Sequence, residues 1–209
     1  MRQEKQKSPL AAPLPAKQAR SRRTRDALLS AGRKLLAQHP WTEITIHDIV
    51  KAAGVSVGSF YTRFKDKEAF FESLAAEWVI WRRDSRMRLT DNLSPRDDYF
   101  ASAVLDTYRV TLEQQHFWRA ALMRGAADPA FWSAFRDLGL SLIERVLQLR
   151  QEELGRKLRA EEIRHIRFAF QMANGLINNS IVNRPGPILP GTAEFETELV
   201  RGFKAVAGL

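Results

Sequence analysis

The chain of 209 residues contains no cysteine. This absence excludes disulfide bonds, thiolate zinc sites and cysteine nucleophiles, and it suits a reducing compartment. No apolar run reaches the length of about 18 residues that a membrane-spanning helix needs. Residues 1–25 also lack the apolar segment of a secretory signal. We therefore expect a cytoplasmic protein that does not span a membrane.

Catalytic and cofactor motifs are also missing from the sequence. The four histidines are scattered, and none has the spacing of a metal site. There is no glycine-rich phosphate loop and no GxSxG motif. Glu161, Glu162 and His165 share one predicted helix, but a charged helix start explains them better than a catalytic cluster. We therefore expect neither an enzyme nor a cofactor or metal site.

Sustained period-two alternation is absent, whereas helical spacing of apolar residues recurs along the whole chain. A first helix is predicted from about Ser21 to His39, where Pro40 ends it. Asp66 is expected to cap a later, longer helix. The remaining predicted helices are 45–53, 56–64, 95–114, 116–125, 129–155, 160–183 and 192–207. The predicted fold class is all-α.

The net charge of +9 is confined to the N-terminal third of the chain. Residues 1–65 hold 13 basic and 4 acidic side chains, whereas residues 66–209 hold 20 of each. A polyanionic partner is the natural interpretation, because neutralising phosphates supplies much of the affinity for DNA. A solvated basic tail or an anionic membrane surface are the alternatives. Prolines at positions 9, 13 and 15 argue against a long membrane-bound helix in the arm.

Residues 42–71 carry the most specific pattern in the chain. A short helical pattern stops at Gly54, and a second, shorter one follows it. Two helices joined by a tight glycine turn form the unit that places a helix in the DNA major groove. Ile49 and Phe60 can close a small core, which leaves the small and polar residues of the second helix facing outward. The segment is predicted to be a helix-turn-helix.

This segment resembles the TetR family of one-component transcriptional regulators. The resemblance covers roughly residues 24–75. The matching positions are Ala31, Leu35, Leu36, Thr45, Ile46, Ile49, Ala52, Ala53, Gly54, Val55, Ser56, Gly58, Phe60, Tyr61, Phe64, Lys65, Lys67 and Phe70. The one mild departure is Phe60, where many members have leucine or isoleucine.

The resemblance implies how the chain is divided. Residues 1–19 are expected to be a disordered basic arm, because they are polar and proline-containing. Residues 20–66 would form a three-helix DNA-binding domain with the helix-turn-helix. Residues 67–209 would form a larger helical domain for ligand binding and dimerisation. Such regulators usually leave a palindromic operator when a small molecule binds.

Nine residues are predicted to contact double-stranded DNA. They are Thr45, Ser56, Val57, Gly58, Ser59, Tyr61, Thr62, Arg63 and Lys67. Val57 and Ser59 are expected to face base edges. Tyr61 and Lys67 resemble the family's backbone-clamping positions. Two alternatives stay open: Ser56 can be a helix cap alone, and Gly58 can be required only for packing against the first helix.

The C-terminal part offers a candidate ligand pocket rich in large side chains. The candidates are Trp78, Trp81, Phe117, Trp118, Arg119, Met123, Phe131, Trp132, Phe135, Phe168, Met172, Asn174 and Asn178. They suggest an apolar or aromatic effector with one polar group. The alternative is that these aromatic residues form ordinary core.

Two apolar stripes run along the predicted helix 160–183. One contains Ile166, Phe170 and Ile177, and the other contains Phe168 and Leu176. A helix that is apolar on two faces is buried on two sides, which indicates a homodimer through helices 160–183 and 192–207. A central helix in a monomer is the alternative. For the whole protein, the rival to a ligand-responsive repressor is a non-specific or architectural DNA-binding protein.

Overall fold

The computed structural model describes residues 16–209, and every regular element in that range is a helix. The all-α fold class is therefore confirmed. The predicted arm lies outside the described residues up to position 15. The elements are α1 (Ala16–Leu36), α2 (Ile46–Ala53), α3 (Val57–Tyr61), α4 (Lys67–Asp91), α5 (Tyr99–Glu113), α6 (Gln115–Ala127), a 3₁₀ helix (Pro129–Trp132), α7 (Ser133–Leu154), α8 (Ala160–Asn183) and α9 (Ala193–Ala207).

Three helix starts differ from the sequence prediction. The predicted helix 129–155 divides into the 3₁₀ helix Pro129–Trp132 and α7, which begins at Ser133. Helix α1 begins at Ala16, so residues 16–19 of the predicted arm are helical. Helix α5 begins at Tyr99 rather than near position 95, because the Asp98 side chain accepts a hydrogen bond from the Ala101 N–H and caps the helix there. Before it, the Ser94 N–H donates to the Asp97 carboxylate and closes a separate turn.

A first hydrophobic core joins the helix-turn-helix to the middle of the chain. Helices α1–α3 bury Leu28, Ile49 and Phe60, and α4 covers them with Phe70. Gly32 allows the close contact between α1 and α4, because a Cβ at this position would lie 2.7 Å from the Phe70 ring. The same core continues through α4 into α6 and the start of α7. The core therefore crosses the predicted domain boundary at residue 66.

A second core is built by α5, α7, α8 and α9. Helix α8 contributes the stripe of Ile166, Phe170 and Ile177, all of which are buried. Phe203 of α9 packs edge-on against Phe170, with ring centroids 4.8 Å apart. The other stripe of α8 remains at the surface, where Phe168 is 58% exposed. The two-faced pattern in the sequence thus corresponds to one face covered within the chain and one uncovered.

Two features are absent from residues 16–209. In this range no helix combines the length and the apolar character needed to cross a membrane. The same residues contain no cluster of three or more histidine and acidic side chains arranged to hold a metal ion.

Candidate nucleic-acid interface and effector cavity

Helix α2 is fixed at its start by a reciprocal pair of caps. The Asp48 N–H donates to Thr45 Oγ1 at 3.2 Å, and the Thr45 N–H donates to Asp48 Oδ2 at 2.9 Å. The Thr45 hydroxyl also donates to the same carboxylate, and these bonds from Thr45 hold the pKa of Asp48 below its ordinary value. Thr45 is therefore the N-cap of α2. Asp48 completes the box, and its position three residues after Thr45 was the signal for it.

The turn between α2 and α3 depends on Gly54. This residue has φ 65° and ψ 35°, in the left-handed region that favours glycine. Its N–H donates to the Lys51 carbonyl at 3.2 Å, and the next N–H, of Val55, donates to the Val50 carbonyl at 3.0 Å. The predicted glycine turn is therefore confirmed. It ends α2 abruptly and places α3 against it.

Helix α3 has one buried side and one exposed side. Phe60 is fully buried, with its ring 5.4 Å from the rings of both Phe64 and Phe70. Burial of Phe60 turns the opposite face outward, where Val57 is 43% and Tyr61 is 55% exposed. Ser56 caps the helix by accepting the Ser59 N–H at 3.2 Å. Helix α3 thus presents Val57 and Tyr61 outside the core.

Gly58 lies on α3 with open space around it. A Cβ added there would meet only Ser56 Oγ, at 3.9 Å. The interpretation that packing against the first helix requires this glycine is therefore wrong. Since the fold does not require glycine at this position, its lack of a Cβ fits a backbone that approaches another molecule closely.

Gly58→Ala is expected to separate DNA binding from stability. Alanine should leave the free energy of unfolding unchanged or raise it by up to about 1 kcal/mol, because it is the better helix former. The predicted DNA contact of Gly58 would be obstructed by the added methyl group, so operator affinity should fall. Gly202→Ala, in open space within α9, is the matched control. Equal operator affinity for both variants, measured by fluorescence anisotropy alongside urea unfolding, would contradict the assignment.

The remaining predicted contacts, on α3 and in the two residues after it, form hydrogen bonds within the protein. The Ser59 and Ser56 hydroxyl oxygens lie 3.0 Å apart, and Ser59 is only partly exposed. The Thr62 hydroxyl donates to the Gly58 carbonyl at 2.8 Å. Arg63 donates from NH1 to the Ser59 carbonyl at 2.7 Å and from Nε to the Ser21 carbonyl at 3.3 Å. Arg63 therefore joins α3 to the N-terminal part of α1.

The contact between Arg63 and Ser21 brings a cationic surface next to α3. Arg20, Arg22 and Arg23 flank Ser21 on the first turns of α1, and all three are exposed. The positive charge that the sequence concentrates in its N-terminal third thus lies partly beside the exposed face of α3.

Lys67 has a role inside the protein that its sequence position does not reveal. Its Nζ donates to the Trp41 carbonyl at 2.7 Å and lies 4.3 Å from the centroid of the Trp41 ring. Partial burial lowers the pKa of this ammonium group. Lys67 therefore anchors the segment before α2 to the first turn of α4. A phosphate contact by the same ammonium remains a prediction.

A cavity of about 540 Å³ lies among α4, α5, α6, α7 and α8. We call it the aromatic cavity, after four of its lining residues: Trp78, Trp118, Trp132 and Phe135. The rings of Trp132 and Phe135 are stacked at 4.9 Å, and those of Trp78 and Phe135 at 5.6 Å. Asn174 and Asn178 also line it. Six candidates from the sequence therefore meet in one place.

The other pocket candidates lie elsewhere. Trp81 and Phe117 line a second, more open cavity of about 740 Å³ near the end of α1, and Phe131 packs in the first core. Met123, Phe168 and Met172 are exposed and do not line the aromatic cavity. Arg119 donates to the Ile181 carbonyl at 2.7 Å, outside both cavities. Helical spacing indicates which residues share a face, but not whether that face is inward.

The sequence prediction missed Arg82 and Arg86, which line the aromatic cavity together with Trp78. The three side chains follow one another at spacings of four along α4 and so share a helix face. That spacing was the signal for them.

The family described as bacterial regulatory proteins, tetR family, matches residues 28–74 of this chain. The matched segment runs from α1 through α3 into α4 and contains the helix-turn-helix. The chain is also 33% identical over 92 residues to the HTH-type transcriptional repressor NemR of Escherichia coli K12. That alignment covers 44% of this chain and 44% of NemR, so the similarity spans less than half of this curated relative.

Solved structures with the same fold cover nearly the whole chain. Salmonella enterica GusR matches with a TM-score of 0.60 at 16% identity, over 97% of this chain and all of GusR. A TetR-family transcriptional regulator from Streptomyces coelicolor matches with a TM-score of 0.58 at 21% identity, over 92% of this chain and 82% of that protein. At these identities the similarity concerns the fold alone, and it extends the shared architecture beyond the helix-turn-helix.

Proposed function

We propose that this chain is a cytoplasmic repressor of the TetR family, whose family model matches its helix-turn-helix segment at residues 28–74. It binds a palindromic operator as a homodimer and leaves it when a small apolar or aromatic ligand occupies the aromatic cavity. The observation that carries this proposal is the outward face of α3, where Gly58 is exposed without a packing role and Tyr61 is 55% exposed. The repressor sense follows NemR, the curated relative with that description.

The residues of the helix-turn-helix divide into three roles in this proposal. Val57 and Ser59 read base edges, and Gly58 allows the backbone to approach. Tyr61, Thr62 and Lys67 contact phosphates, as do the helix starts at Thr45 and Ser56. Arg63 positions α3 through its hydrogen bonds to α1, and the arginines of α1 add electrostatic attraction.

The dimer forms through the uncovered stripe of α8. Phe168, Met172 and Leu176 are 58%, 38% and 45% exposed and follow one another at spacings of four. A second copy of the chain would cover them by a twofold contact, with α9 at the edge of the interface. Two DNA-binding domains would then reach half-sites about one helical turn of DNA apart, or slightly more.

Selection of bound fragments from a random duplex library tests this function. The protein should enrich one inverted repeat, and Gly58→Ala should bind it more weakly than the wild type does. A salt titration on the enriched duplex then compares specific with non-specific binding. Binding that depends steeply on salt but enriches no sequence would overturn the repressor assignment in favour of non-specific DNA binding.

A further inference from the structure

The aromatic cavity carries an unusual amount of positive charge for a space walled by indole and phenyl rings. Four arginines line it: Arg82, Arg86, Arg136 and Arg167. Within residues 16–209, none of its lining residues is acidic. Two of these arginines have acidic partners that do not line the cavity. Arg82 donates to the carboxylate of Asp106 with two nitrogens, and Arg167 donates to Glu144 at 2.6 Å.

Arg86 is held differently, by neutral acceptors. Its NH1 donates to the Leu138 carbonyl at 2.8 Å, and its NH2 donates to Thr107 Oγ1 at 3.3 Å. Its Nε is buried and has no hydrogen-bond acceptor among the described residues. Burial, with a further contribution from the nearby Arg82 charge, lowers the pKa of Arg86, but its guanidinium stays charged at neutral pH. A buried cation in this position is stabilised by any anion that reaches it.

Trp118, which also lines the aromatic cavity, carries a second donor without a partner among the described residues. Its Nε1 is buried and, within the part of the chain that the structure describes, has no acceptor. Buried donors of native proteins normally find a partner, and each exception calls for an explanation. The described residues have only two such side-chain atoms, Arg86 Nε and Trp118 Nε1, and both belong to residues that line this one cavity.

We propose that the effector is an organic anion, an aromatic or other apolar body that bears one acid group. The acid group accepts hydrogen bonds from Arg86 and Trp118, and the apolar body packs against Trp78, Trp132 and Phe135. A cavity of about 540 Å³ lies within the usual range for small-molecule sites, roughly 300–1,000 Å³. This inference rests on the proposed function, whose ligand it assigns to a chemical class.

The position of Arg86 also connects the acid group to the DNA-binding domain. Arg86 lies on α4 and bonds to the Leu138 carbonyl of α7, while the first turns of α4 pack in the core of the helix-turn-helix. An anion that draws the guanidinium toward itself competes with the Leu138 carbonyl for its donors. Loss of that bond frees α4 to shift against α7, which moves the two DNA-binding domains relative to each other.

Matched pairs of probes test the inference. Three acids (1-naphthoate, 4-phenylbutyrate and decanoate) are each compared with the alcohol of the same carbon skeleton. Tryptophan fluorescence and the melting temperature report binding, and anisotropy on the selected operator reports release. At least one acid should bind, raise the melting temperature and weaken operator binding, whereas its alcohol should bind much more weakly. Equal effects of acid and alcohol, or no shift with any of the three acids, would overturn the inference.

Arg86→Met supplies the corresponding protein variant. It should weaken binding of the acid roughly 10- to 100-fold, the loss typical of a charged hydrogen bond, and leave the alcohol unaffected. Arg86→Lys keeps the charge but loses the planar guanidinium group. Its affinity for the acid should lie between those of the wild type and Arg86→Met. The control is Arg83→Met, which removes an exposed charge from the same helix and should bind the acid normally. An Arg86→Met variant with wild-type affinity for the acid would contradict the assignment.

The two levels of the proposal fail in distinguishable ways. Operator selection needs no effector, and acid binding followed by fluorescence and melting temperature needs no DNA. Normal operator binding without a preference for acids over alcohols would reject the anionic effector and leave the repressor function standing. Binding of acids without any selected operator would reject the repressor and keep the anion site.

Discussion

Glutamate at both Phe168 and Leu176 is expected to give a monomer that binds its operator far more weakly. These side chains lie two helical turns apart on the uncovered stripe of α8, and both are exposed in the single chain. In the proposed dimer they would be buried, and a carboxylate placed there would lose its hydration without gaining a partner. Because a monomer reaches one half-site only, operator affinity should fall on the order of 100-fold.

Sedimentation velocity should show the change in mass, and anisotropy the loss of binding. The matched control is Met87→Glu with Met123→Glu, since both residues are exposed and lie on other helices. The control adds the same two negative charges, so it reproduces any general weakening of attraction to DNA. A Phe168 and Leu176 variant that stays dimeric, or that binds the operator as well as the control does, would show that α8 does not form the interface.

Loss of the partner of Arg82 should have the largest effect on stability. The Arg82 side chain is 1% exposed and is neutralised by Asp106, with NH1 3.1 Å from Oδ1. Asp106→Leu would leave this guanidinium and that of Arg86 together in the interior without the carboxylate. Removing one partner of a buried ion pair lowers the free energy of unfolding by about 3–5 kcal/mol.

The double variant Arg82→Met with Asp106→Leu should recover most of that loss, because position 82 then no longer holds a buried charge without a partner. Urea unfolding followed by circular dichroism measures both variants. Glu196→Gln is the control, since Glu196 accepts from Arg109 in a similar two-nitrogen arrangement at the surface. Glu196→Gln should change the free energy of unfolding by no more than about 1 kcal/mol. Equal losses for Asp106→Leu and Glu196→Gln would mean that burial does not govern the strength of this pair.

The local features of the DNA-binding domain could be predicted from the sequence, because residues a few positions apart determine them. The cap at Thr45, the turn at Gly54 and the cap at Asp66 each depend on a side chain and the backbone next to it. The two stripes of α8 were also predictable, since helical periodicity alone separates them. Interactions between residues close together in the sequence are sufficient to predict these features.

Contacts between distant segments could not be predicted in this way. Lys67 bonds to the carbonyl of Trp41, 26 positions earlier, and nothing near Lys67 in the sequence indicates it. Phe168 and Met172 fitted both a pocket and a surface stripe, and only the packing of α8 on its neighbours decides between them. Arg86 is inside because α5 and α7 cover it through Thr107 and Leu138, which sequence spacing along α4 does not show.

The core that crosses residue 66 determines where this protein can be recombined with other regulators. Phe70, Phe71 and Leu74 follow Asp66 in the chain, yet they cover the buried faces of α1–α3. A hybrid joined at Asp66 would contain α1–α3 without the residues of α4 that pack on them. Gly32 would then face a side chain of the other protein in place of the Phe70 ring. A join after Val79 transfers the complete set. The two parts that can be exchanged are therefore divided in the middle of α4. Each part then carries some of the residues of α4 that line the aromatic cavity.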